Sequence, residues 1–272
     1  MRNRQASEIN LYNRSPVCKF TKRCEETDFL SEFDFFESES FSIQVASGAL
    51  DMDGVLFQDR TDAGKKLTRA LVESESKLQD PIVLGIPRGG IPIGYVLAEK
   101  LDCELDTIVL RKIPIPSDPE AGYGAVTIDK TVILNQEMLP HLRLSKKEMD
   151  RGVERVYQEV KRRNDVYRKG RPFPDLKGRS VILTDDGLAT GYTMLAAVEF
   201  SRKQRPEKII VAVPVASDSA AELIRPAVDQ FMVLHVSHSL YFAVASFYRR
   251  FEDMVDEEVI EILDKARRKR GR

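Results

Sequence analysis

The chain has 272 residues, enough for one large domain or two small ones, and its 42 Lys and Arg against 43 Asp and Glu leave a formal charge of −1. That balance gives no field to draw the chain to nucleic acid or to a membrane surface. Cys18, Cys24 and Cys103 are too few and too irregularly spaced for a disulfide or zinc framework. No apolar run approaches the ~20 residues that span a bilayer, and the N-terminus has no apolar signal core; a cytoplasmic protein is expected.

Residues 1–51 mix polar, acidic and aromatic patches, such as Phe33-Asp34-Phe35-Phe36, without a period. They read as a poorly ordered extension ahead of one domain over 52–272. Ala63, Leu67, Ala70 and Leu71 share one helical face, which predicts a helix from Thr61 to Leu78. Ile82–Gly94 reads as a buried strand, a loop bearing Arg88, Gly89 and Gly90, and the start of a helix that runs to Lys100. The planar fork of donors on Arg88 suits a polyphosphate, and the two glycines clear room for it.

A strand over Leu105–Arg111 then delivers Arg111 and Lys112 to a long loop ending near Gly124, rich in Pro and Gly. A loop of that length is functional or disordered. Ala125–Ile128 and Val132–Leu134 read as a hairpin turned at Asp129-Lys130. Ser145-x-x-Glu148 is a capping box that starts a charged helix to about Arg168. Lys208–Val213 and Gln230–Leu234 are later strands, separated by a helix from Ser219 to about Ile224, and Glu257–Arg268 is a closing helix. The alternation predicts an α/β fold with a parallel sheet flanked by helices.

The densest signal is Val181–Thr193. A short apolar strand ends in Asp185 and Asp186, and a helix begins at Met194 after a loop of Gly, Ala and Thr. Ligands of open α/β sheets sit beyond strand C-termini. Orphan amides at a helix start favour a phosphate. Paired carboxylates repel each other unless hydroxyl donors or a cation such as Mg2+ relieve them. The ligand so described carries hydroxyls or a metal at one end and a phosphate at the other.

This segment resembles the phosphoribosyl pyrophosphate (PRPP) motif of type I phosphoribosyltransferases, in the Asp-Asp-x-Leu-Ala-Thr-Gly-x-Thr form most similar to adenine phosphoribosyltransferases. Hypoxanthine-type enzymes carry a basic Asp where this chain has Ala189. The resemblance runs from about Met52 to Ile262 and includes the Phe57–Gly64 patch, the Arg88 loop, Arg111-Lys112 and Phe242–Tyr248. It implies a Rossmann-like type I phosphoribosyltransferase fold with a small hood. The activity implied is transfer of the 5-phosphoribosyl group of PRPP to a nitrogen nucleophile, a nucleobase, with release of pyrophosphate. Asp185 and Asp186 would then bind ribose and a Mg2+ ion, directly or through water. Gly187, Leu188, Ala189, Thr190, Gly191, Tyr192 and Thr193 would anchor the 5′-phosphate. Arg88, Gly89 and Gly90 would hold pyrophosphate, and Arg111 and Lys112 would assist its departure from a mobile loop that closes over the site. Phe242, Phe247 and Tyr248 would stack on the base. Partners are thus PRPP, pyrophosphate and an unidentified base; relatives often form homodimers. A non-catalytic PRPP sensor on the same fold is the alternative.

Two other motifs carry less. Asp51-Met52-Asp53-Gly54-Val55 copies a phosphatase nucleophile motif but lacks the apolar strand such a motif needs ahead of it. His235-x-x-His238 lacks a third ligand at useful spacing. Both acids also govern how the reading fails: closed inside salt bridges, Asp185 and Asp186 would have no open face for a sugar.

Overall fold

A computed structural model describes residues 44–45, 55–74, 77–239 and 241–270. Most of the N-terminal extension, and Asp51–Gly54 of the phosphatase-like motif, lie outside the described residues. Gln44–Val45, assigned above to the extension, forms a short strand, β1.

The core is a six-stranded, all-parallel sheet. Its members are β1, β2 (Ile82–Gly85), β3 (Glu104–Thr107), β7 (Ser180–Thr184), β8 (Lys208–Ser217) and β9 (Gln230–Ser237), in the spatial order β1-β9-β8-β7-β2-β3. Strand residues alternate between two apolar layers. Val83, Ile182 and Ile210 face α1 (Arg60–Glu73), α2 (Gly90–Leu101) and α7 (Asp256–Arg270). Leu84, Val181, Leu183 and Val211 face α5 (Tyr192–Arg202) and α6 (Asp218–Ile224). Burial on both faces is why β2, β7 and β8 read as continuous apolar runs rather than alternating ones.

The order of strands contains a reversal. From β2 the chain moves through α2 to β3 on one side; later it enters β7 on the other side of β2 and proceeds outward to β8 and β9. The crevice at the C-terminal ends of β2 and β7 is therefore a topological switch point, the place where open α/β sheets take ligands.

Two expectations are corrected. Leu105–Arg111 is not one strand: β3 ends at Thr107, the chain turns at Ile108-Val109, and β4 (Leu110–Ile115) belongs to a second, three-stranded antiparallel sheet with β5 (Asp118–Thr127) and β6 (Val132–Leu134). The long loop read as mobile is mostly the β4–β5 hairpin. Its three prolines hid it. Pro114 falls where the register shifts, so the ladder is already broken at the position where proline has no N–H to give. The β5–β6 hairpin lies as expected, as do the capping box at Ser145 and α4 (Lys146–Arg168). Leu139–Leu142 adds a short α3. Among the described residues no helix is long and apolar enough to cross a membrane.

Candidate active site

Strands β2 and β7 pair in register, Gly85 opposite Thr184, so the loops that follow them leave the sheet side by side. They touch at once. Ile86 N–H donates to the Thr184 carbonyl at 2.9 Å. A Cβ on Gly90 would stand 2.5 Å from that same oxygen, and one on Gly89 would stand 1.8 Å from Asp186 Oδ2. Any larger residue at 89 would displace the carboxylate. The glycines flagged by the sequence thus serve contact between the two loops as well as room for a ligand. The Pro87–Arg88 peptide bond is cis.

The two acids have different surroundings. Asp186 Oδ2 accepts from Arg60 Nε at 2.9 Å, and the Asp186 carbonyl accepts from the Tyr248 hydroxyl at 2.7 Å. Side-chain exposure is 14% for Arg60 and 15% for Asp186, so this ion pair is screened from water. Asp185 Oδ1 accepts from the Asp186 N–H at 2.8 Å, and among the described residues no cation pairs with it. Burial, then the charge of Asp186, holds the Asp185 carboxyl well above the usual carboxylate range. Burial also raises Asp186, with the Arg60 guanidinium opposing it. The closure that would end the sugar-binding reading has therefore happened to one acid and not the other.

Arg60 is the residue that sequence reasoning missed. It opens α1 behind the cap Asp59, donates Nη1 to the Glu252 carbonyl at 2.9 Å and lies over the Phe251 ring at 3.9 Å. Its patch, Phe57–Gly64, stood out only as part of the family likeness. Nothing local in it points to an acid 126 positions away.

Beyond the acids, the loop is clamped at one point and open afterwards. Leu188 N–H donates to the Val215 carbonyl and its own carbonyl accepts from Ser217 N–H, both at 2.9 Å; Ser217 Oγ donates to the Ala189 carbonyl at 2.6 Å. Ala189 and Thr190 are exposed. Gly191 has φ of 76°, a left-handed conformation that suits glycine, and it turns the chain into α5 at Tyr192, two residues earlier than expected. No side chain caps α5, so its first amides and dipole remain available to an anion.

The basic residues are arranged less simply. Arg88 Nη1 lies 3.9 Å from Asp256 Oδ1. Arg111 forms an ion pair with Glu159 of α4. Burial, then the positive charges of Arg163, Arg88 and Arg162, lowers the Arg111 pKa from its ordinary value. Lys112, next along β4, projects from the opposite face of the strand and is exposed. Strand geometry thus separates the two side chains that a loop would have left together.

The hood aromatics also divide. Val244 touches the acid loop: a Cβ on Gly187 would stand 2.7 Å from Val244 Cγ1. Phe242 and Phe247 are half-buried, 5.4 Å apart between ring centroids, with His235 5.5 Å from Phe247. Tyr248 is buried, with its ring against Phe57 and Phe251 at 5.2 and 5.0 Å, and burial followed by the charge of Asp186 raises its pKa. Its visible task is to hold the Asp186 backbone, whereas the sequence reading had it stacking on a base. His238 pairs with Asp218 at 2.8 Å, and His235 packs against Phe247.

A family model described as phosphoribosyl transferase domain matches residues 57–241. A protein of Mycobacterium tuberculosis, named provisionally as a phosphoribosyl transferase, is 36% identical over 213 residues. The match takes in 78% of this chain but 47% of that protein, so the chain spans about half the length of the curated relative. A Thermus thermophilus protein of known crystal structure is 35% identical, with a TM-score of 0.64 over 77% of this chain and 98% of that one. Ribose-phosphate pyrophosphokinase of Pyrococcus furiosus is 41% identical over 61 residues, 22% of each chain. The chain belongs to the phosphoribosyltransferase domain family.

Proposed function

We propose that this chain transfers the 5-phosphoribosyl group of PRPP to a ring nitrogen of a nucleobase and releases pyrophosphate. The observation that carries the proposal is the convergence, at the β2–β7 switch point, of an unpaired Asp185, an uncapped helix start and the Arg88 loop. The acids join the two other elements: Asp186 abuts Gly89 of the Arg88 loop on one side, and the loop that follows it leads to the helix start on the other, as the ribose hydroxyls of PRPP lie between its pyrophosphate and its 5′-phosphate. The names of the Mycobacterium and Pyrococcus relatives, a phosphoribosyl transferase and a ribose-phosphate enzyme, favour the same ligand.

In the reaction a C1–N bond forms as the C1–O bond to pyrophosphate breaks. The leaving oxygen takes the electron pair and the base nitrogen later gives up its proton. Asp185 accepts hydrogen bonds from the ribose hydroxyls, with Asp186 held behind it by Arg60. The amides of residues 189–193 hold the 5′-phosphate and fix C1 relative to the base. Arg88 and Arg111 meet the charge that grows on pyrophosphate. Phe242 and Phe247 offer ring faces beside the acid loop. Positioning and electrostatics supply the rate, so no strong nucleophile is required. The hard carboxylate oxygens at the strand end, Asp185 without a cationic partner, fit Mg2+ completed by substrate oxygens and water. Held there with PRPP, Mg2+ would supply positive charge against the leaving pyrophosphate.

The test is calorimetric titration of PRPP with and without Mg2+, on the wild type and on Asp185→Asn with Asp186→Asn. Loss of about tenfold or more in affinity is expected, the scale of one charge-assisted hydrogen bond. An unchanged affinity overturns the assignment of the acids. Pyrophosphate release is then read across a panel of bases; binding without release on any of them returns the non-catalytic sensor.

A further inference from the structure

We propose that Arg163 of α4 is a pyrophosphate-binding residue, the third arginine of an anion site shared with Arg88 and Arg111. The chemical identity of the anion rests on the phosphoribosyl-transfer reading; the existence of the site rests on geometry alone.

Glu159, Arg163 and Tyr167 follow one another at four-residue spacing and form one stripe of α4. The outer two are engaged with the active-site arginines. Glu159 pairs with Arg111 of β4. The Tyr167 hydroxyl donates to Asp256 Oδ1 at 2.6 Å, the same oxygen that Arg88 Nη1 approaches at 3.9 Å. Arg163 stands between these contacts, roughly 6 Å along the axis from each. Its Nε is buried and meets no hydrogen-bond acceptor among the described residues. Both nearby acids are engaged with other groups, and Arg163 pairs with neither among the ion pairs of the described residues.

Three guanidiniums from three elements, the β2–α2 loop, β4 and α4, thus gather around two carboxylates, with Arg162 adding further charge. A buried donor left unpaired is costly, and so is surplus positive charge. A purely structural arginine would be expected to have its own acid or carbonyl, as Arg168 further along α4 has. A polyanion entering from the acid loop would supply what is lacking. The way in is short, because Arg88 is adjacent to Gly89, which abuts the Asp186 carboxylate. Arg88 and Arg111 side chains are 36% and 38% exposed, so the cluster is open to solvent on that side. Glu159 then acts as a placeholder that pyrophosphate displaces from Arg111.

The test uses the full chain and two separate probes, inorganic pyrophosphate and ribose 5-phosphate, in calorimetric titrations. Arg163→Met is expected to weaken pyrophosphate by about tenfold or more and to leave ribose 5-phosphate unchanged. Arg163→Lys, which keeps the charge but loses the fork, should recover part of that loss. Glu159→Gln should tighten pyrophosphate by about threefold or more, a gain that a merely structural stripe would not produce. Pyrophosphate affinity within about twofold of wild type in Arg163→Met overturns the proposal, as does a wild type that binds no pyrophosphate. Should Arg163→Met lose both probes through misfolding, Arg163→Lys and Glu159→Gln decide, and unchanged pyrophosphate affinity in both overturns it. A wild type that takes pyrophosphate but neither ribose 5-phosphate nor PRPP overturns the phosphoribosyl reading and leaves the arginine site standing.

Discussion

Asp185 and Asp186 are neighbours in sequence with different surroundings: Asp186 is paired with Arg60, whereas burial and its neighbour's charge raise the Asp185 pKa well above the usual carboxylate range. The stability consequence has a definite sign. A carboxyl whose proton affinity is higher in the folded chain than in the unfolded one stabilises the fold below the unfolded pKa, near 3.8, and loses that contribution as pH rises through the folded value. At pH 7 the acid pair therefore costs stability, about 1.4 kcal/mol for each tenfold change in proton affinity. Asp185→Asn should raise Tm at pH 7 by ~2–4 °C for each kcal/mol recovered, a gain that shrinks as pH approaches 4 while PRPP affinity is lost at both. Scanning calorimetry at the two pH values checks this; a variant less stable than wild type at pH 7 contradicts the burial account. Gly89→Ala makes the complementary point. Its Cβ must push Asp186 away, so PRPP affinity should fall by about tenfold or more in a chain with a native circular dichroism spectrum. The doublet and the glycines were legible because short motifs carry their chemistry locally. Arg60 and the tie from the Tyr248 hydroxyl to the Asp186 carbonyl were not, since each reaches the acids from a remote segment.

At the scale of elements, legibility followed local chemistry. The capping box put the start of α4 at Lys146, as read, because Ser145 and Glu148 satisfy each other's backbone amides without help from the rest of the fold. Ser145→Ala should cost about 1 kcal/mol, or ~2–4 °C in Tm, and should soften the helix that carries Glu159, Arg163 and Tyr167; thermal melts followed by helical ellipticity check it. The β3–β4 corner was illegible. Leu105, Ile108, Val109 and Leu110 are all buried, so the apolar run continues while the chain leaves one sheet for another. Arg111 and Lys112 then lie on opposite faces of β4 instead of sharing a loop, which leaves Arg111 with the arginine cluster and Lys112 outside it.

Across the whole molecule, a few polar ties join elements that no local pattern connects. Arg168 at the end of α4 is buried and donates to both Asp106 oxygens of β3 at 3.1 and 3.3 Å, and to the carbonyls of Thr107 and Pro172. Burial raises the Asp106 pKa while the Arg168 charge opposes it, so the carboxylate depends on its partner. Arg168→Met leaves the buried carboxylate with only the longer Arg267 contact, 3.8 Å from Nη2 to Oδ1, and should cost about 3 kcal/mol in urea unfolding; a loss under about 1 kcal/mol would show the Arg168 pair to be dispensable. By itself the sequence determined the α/β class, the strand–acid–loop–helix segment and the glycine-flanked Arg88, because each depends on residues within a few positions of one another. The tertiary structure alone decided that β2 and β7 are neighbours across a reversal of strand order, that Arg60 pairs with Asp186 and not with Asp185, and that the flanks of Arg163 on α4, Glu159 and Tyr167, reach Arg111 and the Asp256 that Arg88 approaches. Those are contacts between segments tens to more than a hundred residues apart, chosen by how buried faces pack, and no period or motif along the chain encodes them.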